Sequence, residues 1–475
     1  DEQIYSEAMT DNAYTKQPND FTQNIGNGSY STADSYVKQV WDGRYTGIRM
    51  CNQLLENIDR VPDLDPELKK RYIGEAKVLR AYNYYELYTK FGDIPYTTKV
   101  LSIKESMSIA RTDRATVIAN MLADLDEVIN GNYLPTSYDA DNKGRITRWA
   151  AMAIKAKIYL FEGNWTQVKN ITSTIMTEGG FTLFGSYAGL FEIANEYNSE
   201  VILDAQYRPT SREHQMMYAF LPPSLGGYSQ LSPLQELVDS YIMLDGKTIK
   251  ETGTSFDESN PYANRDPRLK ATVMYTGNSY TLADGTEVVI NCEKGEGKDG
   301  YGVGSDCSAT GYYIKKYWDN TYRATLYSGL NPILIRYADI LLMNAEALAE
   351  LGELDKMAWD ATIKPIRDRA GFTLTSAVEF PEGASKDKLI EIVRNERRSE
   401  LALEGHRHKD IIRWRIADDV LNGWCHGLKT NEVVGTDNGY VRVENRAFNA
   451  NRHYLWPIPQ AERDLNGNLE QNPNW

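Results

Sequence analysis

Three stretches of the chain repeat one pattern of apolar and polar positions. Ala76 to Phe91, Thr147 to Glu162 and Ile335 to Leu351 each run up to a glycine, Gly92, Gly163 and Gly352. Counting back from that glycine, the fourth position holds Tyr88, Tyr159 or Leu348, the seventh Tyr85, Ala156 or Ala345, and the eleventh Ala81, Met152 or Leu341. The spacing predicts three helices with one apolar face and a glycine stop. Small residues at the seventh position let a neighbouring helix approach closely, the logic of tetratricopeptide helix pairs.

Partner helices are predicted on the same grounds. Tyr36 to Ile58 carries Val37, Val40, Trp41, Tyr45, Ile48, Cys51 and Leu55 ahead of Pro62; Arg114 to Asn130 starts at Thr112 or Asp113 and stops at Gly131. Lys356 to Arg369 stops at Gly371, and Asp387 to Glu404 stops at Gly405. The expectation is a mainly α protein of about eight scaffold helices in tetratricopeptide-like pairs, interrupted once. We therefore divide a single domain, 1–475, into a scaffold over 36–180 and 332–421, an irregular insertion over 181–331 and a C-terminal strap over 422–475. The insertion carries Pro222-Pro223, Gly226-Gly227 and short β-branched runs such as Glu287 to Ile290, and predicts short strands among turns. Asp1 to Ser35 is polar and precedes the first pair.

One helix is unusually charged. Glu396-Arg397-Arg398-Ser399-Glu400-Leu401-Ala402-Leu403-Glu404-Gly405-His406-Arg407 sets its charges beside an apolar stripe, which predicts an ion-pair network rather than a solvated face. Its carboxylates are expected to partner Arg394, Arg397 and Arg407.

Composition narrows the function. The formal net charge of -14 opposes nucleic acid or an anionic membrane surface as partner. No run of apolar residues is long enough to span a bilayer as a helix. The start at Asp1, with neither Met nor an apolar leader, is expected of a trimmed or mature product. Cys51 and Cys425 read as buried thiols, whereas Cys292 and Cys307 bracket a Gly-, Asp- and Lys-rich loop and are candidates for a disulfide. Such a bond would contribute about 3 kcal/mol by restricting the unfolded chain, and would imply an oxidising compartment.

Signals for catalysis, cofactors and metals are poor. Gly295-Glu296-Gly297-Lys298-Asp299-Gly300 matches a dinucleotide fingerprint by letter, but no helix is predicted after it. Asp139, Asp141 and Gly144 imitate a calcium loop in which Lys143 and Ala150 occupy ligand positions. His406-Arg407-His408 is flanked by cations that oppose a metal. We expect no cofactor, no metal site and no enzyme.

Aromatic supply is the positive signal, with 32 Tyr and 9 Trp against 11 Phe. Sugars present flat C–H faces and hydroxyl rims, so a glycan site needs amphipathic rings to stack on and polar groups for hydrogen bonds. Tyr72, Tyr82, Tyr85, Tyr88, Tyr159 and Trp41 sit at helical spacing and read as packing residues. Rings outside the helices are the candidates: Tyr275, Tyr301, Tyr312 and Trp318 in the insertion, with Tyr280 and Tyr313 nearby, and Tyr14 and Tyr30 near the N-terminus beside Asp11 and Asn12.

Six segments, in this order, resemble the SusD/RagB family of outer-membrane nutrient-binding lipoproteins. They are Trp41 to Leu55, Gly74 to Tyr82, Phe91 to Pro95, Arg336 to Leu342, Glu396 to Gly405 and Trp456 to Pro459. The resemblance implies a lipid-anchored protein on the outer face of the outer membrane, which captures an oligosaccharide, or in some members a peptide, and caps a TonB-dependent transporter of the SusC type. It also implies a ligand held between an insertion loop and the segment before the first helix pair. The lipid-bearing cysteine of the family is not within this sequence. The residues by themselves leave open a tetratricopeptide scaffold that binds only proteins, and a glycoside hydrolase.

Overall fold

The computed structural model describes residues 2–16, 21–322 and 325–475. It is mainly α with small two- and three-stranded sheets, and its helices pair in the tetratricopeptide manner. Its contacts divide the chain into two units.

The first unit is built from residues 28–179, 412–418 and 448–475. Its helices are Ser35–Asn57, Pro66–Phe91, Arg114–Asn130, Arg148–Phe161 and Trp165–Glu178. Each begins where a short polar side chain takes up an otherwise unpaired N–H: Asp34, Asp65, Asp113, Thr147 and Asn164 accept from the first turns. Of the predicted stripes, Val37, Val40, Trp41, Ile48, Ala81, Tyr85, Tyr88, Met152 and Ala156 are buried in the core, while Tyr45, Leu55 and Tyr159 are half-buried. A Cβ on Gly74 would lie 2.9 Å from the Tyr133 Cβ, which explains the glycine. Gly92 takes a positive φ of 72° and releases the chain from its helix.

The tail is fastened to this helix end. Trp456 is buried against Phe91, with centroids 5.8 Å apart at 83°, and its N–H donates to the Lys90 carbonyl at 2.7 Å. Asn472 Nδ2 donates to the carbonyls of Phe91 and Trp456 at 2.8 and 2.7 Å. The prolines beside Trp456 keep this segment extended, as a strap requires.

The second unit comprises residues 1–27, 180–411 and 419–447. The N-terminal segment is not a polar lead-in here but part of the core: Ala13–Thr15 pairs antiparallel with Leu231–Pro233, and Ile4, Ala8 and Ala13 are buried. Other short strands pair Val201–Asp204 with Ile333–Arg336, Val273–Met274 with Tyr313–Ile314, and Ser279–Thr281 with Glu287–Val289. Residues 422–447 form a hairpin, Asn422–Lys429 against Tyr440–Ala447.

Three helix boundaries differ from expectation, each for a local reason. Ile335 and Arg336 are strand residues, and the helix starts at Tyr337, because β-branched Ile333 and Ile335 pair across to residues 201–204. The helix expected over Lys356 to Arg369 is two, Lys356–Ala361 and Ile363–Ala370, since Pro365 cannot return a hydrogen bond to the preceding turn. The charged helix is Lys386–Glu400, followed by a turn with Leu403 at φ 61° and Gly405 at φ 77°.

That turn completes the ion-pair network. Glu396 meets Arg268 and Arg367, both at 2.7 Å; Glu400 meets Arg268 at 2.9 Å, Arg336 at 2.6 Å and also Arg369. Glu404 accepts from Lys316 and Arg336 at 2.7 Å, and Glu200 takes another Arg336 nitrogen at 2.7 Å. On the neighbouring face Arg397 binds Asp339 at 2.6 Å and Asp410 at 2.9 Å. The expected network is present, but its carboxylates bind guanidiniums from remote segments rather than Arg394, Arg397 and Arg407. Arg394 instead reaches Glu350 at 2.9 Å, and Arg407 reaches Asp11 at 2.8 Å. Burial opposes ionisation of Glu400, yet Arg369, Arg336 and Arg268 hold it well below the usual carboxylate range.

Candidate functional site

Several side chains expected to meet ligand are committed to the interior. Tyr312 is 2% exposed and its hydroxyl donates to Gln235 Oε1 at 2.5 Å. Tyr30 is buried in the first unit against His453, Trp475 and Trp456. Asn12 is buried, donating through Nδ2 to Glu7 at 2.8 Å and accepting from Arg398 Nε at 2.9 Å. Asp11 is 5% exposed, with Arg407 on both oxygens at 2.8 and 2.9 Å and Arg398 at 2.9 Å. Tyr280 and Tyr313 are buried too. These placements share one cause: a polar or aromatic residue outside a helix is held by remote partners that sequence spacing does not display.

The remaining rings are half-buried and apportioned differently. Tyr275 stacks on Tyr262 with centroids 4.0 Å apart, and the Tyr262 hydroxyl lies 3.2 Å from that of Tyr312. Trp318 donates from Nε1 to the Thr281 carbonyl at 2.8 Å, and Tyr301 packs on the core of the second unit. Tyr14 lies on the Ala13–Thr15 strand, where burial raises its phenol to about 12. The structure thus brings Tyr275 and Tyr312 together but not the eight candidates as a set.

Cys292 and Cys307 are not joined. Both thiols are free and buried; Cys292 belongs to the core, and Cys307 Sγ donates to the Lys298 carbonyl at 3.2 Å. The loop between them is ordered in another way, by Lys16 Nζ on the carbonyls of Ser305 and Cys307 at 2.6 and 2.9 Å. Asp139 accepts from Asn142, so the calcium-like run is a capped turn. Among the described residues no group of three or more His, Cys, Asp and Glu is arranged to hold a metal ion.

Tyr312 nevertheless leads to the site. Gln235, which takes its hydroxyl, donates from Nε2 to Asp239 at 2.7 Å. Asp239 lines a cleft of about 490 Å³, within the range of about 300–1,000 Å³ that suits small-molecule ligands. Glu236, Asp239 and Ser240 of the helix Gln235–Ser240 form one wall, continued by Thr248, Ile249 and Lys250. Asn395 and Arg398 of the charged helix, with Asp11, Asp419, Val420, Arg446 and Asn422 to Cys425, line the rest of it.

Trp424 supplies the ring. It is 44% exposed on the hairpin strand Asn422–Lys429, whereas its neighbour Cys425 is buried. Alternation along a strand turns successive side chains to opposite faces, which sends the indole outward. Arg442 lies across one face of it, 5.5 Å from the ring centroid. Burial pushes the Asp239 carboxyl above its ordinary value. Sequence reasoning misses Trp424 by treating the tail as a strap; its signal is a tryptophan in an alternating run of Trp, Cys, His and Gly. The cleft therefore joins one amphipathic ring to carboxylates, amides, two hydroxyls and an ammonium, the groups that bind hydroxylated ligands.

The chain belongs to the SusD family: the SusD family model matches residues 190–475, and a second model, described as starch-binding associating with the outer membrane, matches residues 1–160. A solved SusD-like carbohydrate-binding protein from Bacteroides fragilis is 30% identical, with 98% of this chain and 93% of that one covered and a TM-score of 0.87. A second SusD-like structure from Bacteroides fragilis is 27% identical over 100% of this chain and 93% of that one, with a TM-score of 0.85. SusD-like protein P25 of Formosa agariphila is 27% identical over 81% of this chain and 71% of its own length. Carbohydrate is the ligand class named for the first of these structures.

Proposed function

We propose that this protein captures an oligosaccharide at the cell surface without catalysis, and passes it to a TonB-dependent outer-membrane transporter of the SusC type. The observation that carries the reading is Trp424, a half-exposed indole at a cleft walled by Glu236, Asp239 and Asn395. A sugar face stacks on the indole while its hydroxyls bond to the wall groups. The matching family model described as associating with the outer membrane and the carbohydrate-binding relative support the same assignment. In this reading a lipid anchor preceding Asp1 tethers the protein to the outer face of the membrane.

Calorimetry against starch and laminarin oligosaccharides tests it. Trp424→Ala weakens binding about tenfold, the worth of one aromatic contact of about 1.5 kcal/mol, with the unfolding midpoint unchanged. Asp239→Asn weakens it less. Unchanged affinity in both variants overturns the assignment of this cleft, and product release from the oligosaccharide on incubation overturns the absence of catalysis.

A further inference from the structure

A chain of side chains ties the helical wall of the cleft to the exposed ring. Glu236 accepts from the His426 backbone N–H at 3.0 Å, and its Oε1 lies 2.8 Å from His426 Nδ1. His426 Nε2 lies 3.0 Å from Asp437 Oδ2, and the other Asp437 oxygen accepts from Arg442 Nε at 2.9 Å. Arg442, the cross-strand partner of His426, is the residue lying over Trp424. Both imidazole nitrogens therefore face carboxylate oxygens. A neutral imidazole has one N–H and must present a lone pair to one of them; only the imidazolium donates to both.

We propose that His426, as an imidazolium, is the positioning residue of the Trp424 platform: it bridges Glu236 and Asp437, and through Asp437 and Arg442 fixes the indole against the wall of the cleft. The proposal rests on the cleft being the glycan site. The charged groups facing His426 are Glu236 from the helix Gln235–Ser240, Asp437 from the strand Thr436–Asp437 and Arg442 from the strand Tyr440–Ala447. The hydrogen bond to Glu236, followed by that to Asp437, raises the ring above its ordinary 6.5. Asp437 is held down at about 2, first by Arg442 and then by His426, so it remains an anion throughout. The sign follows. The clamp is complete below the raised histidine value and is lost as pH rises through it.

The test needs no ligand. Protein labelled with 5-fluorotryptophan gives nine ¹⁹F resonances, and Trp424→Phe identifies the one of interest. That resonance shifts sigmoidally with pH about a midpoint above 6.5, while the other tryptophans do not follow it. His426→Gln abolishes the titration, and Asp437→Asn moves the midpoint down. A Trp424 resonance that does not titrate, or that titrates identically in His426→Gln, overturns the proposal. Affinity for starch or laminarin oligosaccharides then falls across the same midpoint in the wild type and is flat in His426→Gln. If no oligosaccharide binds at any pH the functional assignment fails, yet the fluorine titration still decides the clamp.

Discussion

Two clusters of acids and bases, both in the second unit, behave in opposite ways. Glu396, Glu400 and Glu404 are buried and each meets two or more cations, most of them guanidiniums that stay charged at any working pH. Around His426 the side chains are partly exposed, and the bridging base is an imidazole that its hydrogen bond to Glu236 raises above its ordinary 6.5. The first cluster can only be intact or broken, so it serves architecture. The second can change state without unfolding the chain, and it sits at the cleft. Burial and residue type together separate them, since a guanidinium stays charged where an imidazole titrates.

The comparison can be broken most severely at Arg336, which holds Glu200, Glu400 and Glu404 together. Arg336→Ala leaves three buried carboxylates short of a partner and costs about 3–5 kcal/mol, read from denaturant unfolding. A loss no larger than that of a surface pair would show that the network is not a lock. A smaller and pH-dependent effect comes from Glu7, whose carboxyl burial raises to about 7, against hydrogen bonds from Asn12 and Gly405. The unfolded chain ionises this group at its ordinary 4.5, so stability falls as pH rises from 4.5 to about 7. Glu7→Gln removes that part of the slope in urea titrations, and an unchanged slope would remove Glu7 from the account. The smallest effect belongs to Glu391, which pairs with Lys388 at 3.1 Å on the exposed face of the same helix as Glu400. Glu391→Ala leaves the unfolding midpoint where it is, because an exposed pair gains little over water.

Much of the architecture is legible from local spacing. The apolar stripe ending at Gly92 is core because helix periodicity needs only neighbours within two turns, and the start of the Arg114–Asn130 helix is visible in the polar residues ahead of it. The candidate site is less legible. Asp11 is a sequence candidate and does line the cleft, but as a residue held by Arg398 and Arg407 rather than as an open acceptor. Tyr312 is another and sits behind the wall, linked to Asp239 through Gln235. Trp424 escapes notice because only an edge between exposed and buried strand faces distinguishes it from a packing ring.

The sequence by itself determined the helical class, the glycine and proline stops, the family and the presence of an ion-pair network near Glu396 to Arg407. The family rests on six short segments in order, and the rest depend on residues close together in the chain, where helix geometry fixes who meets whom. Tertiary structure alone decided the partners of that network, the burial of Tyr30 and Tyr312, the burial of Cys292 and Cys307 as free thiols, and the exposure of Trp424. Each of those depends on segments tens to hundreds of residues apart, and whether a polar group is a binding group or a structural one is settled by what those segments place against it.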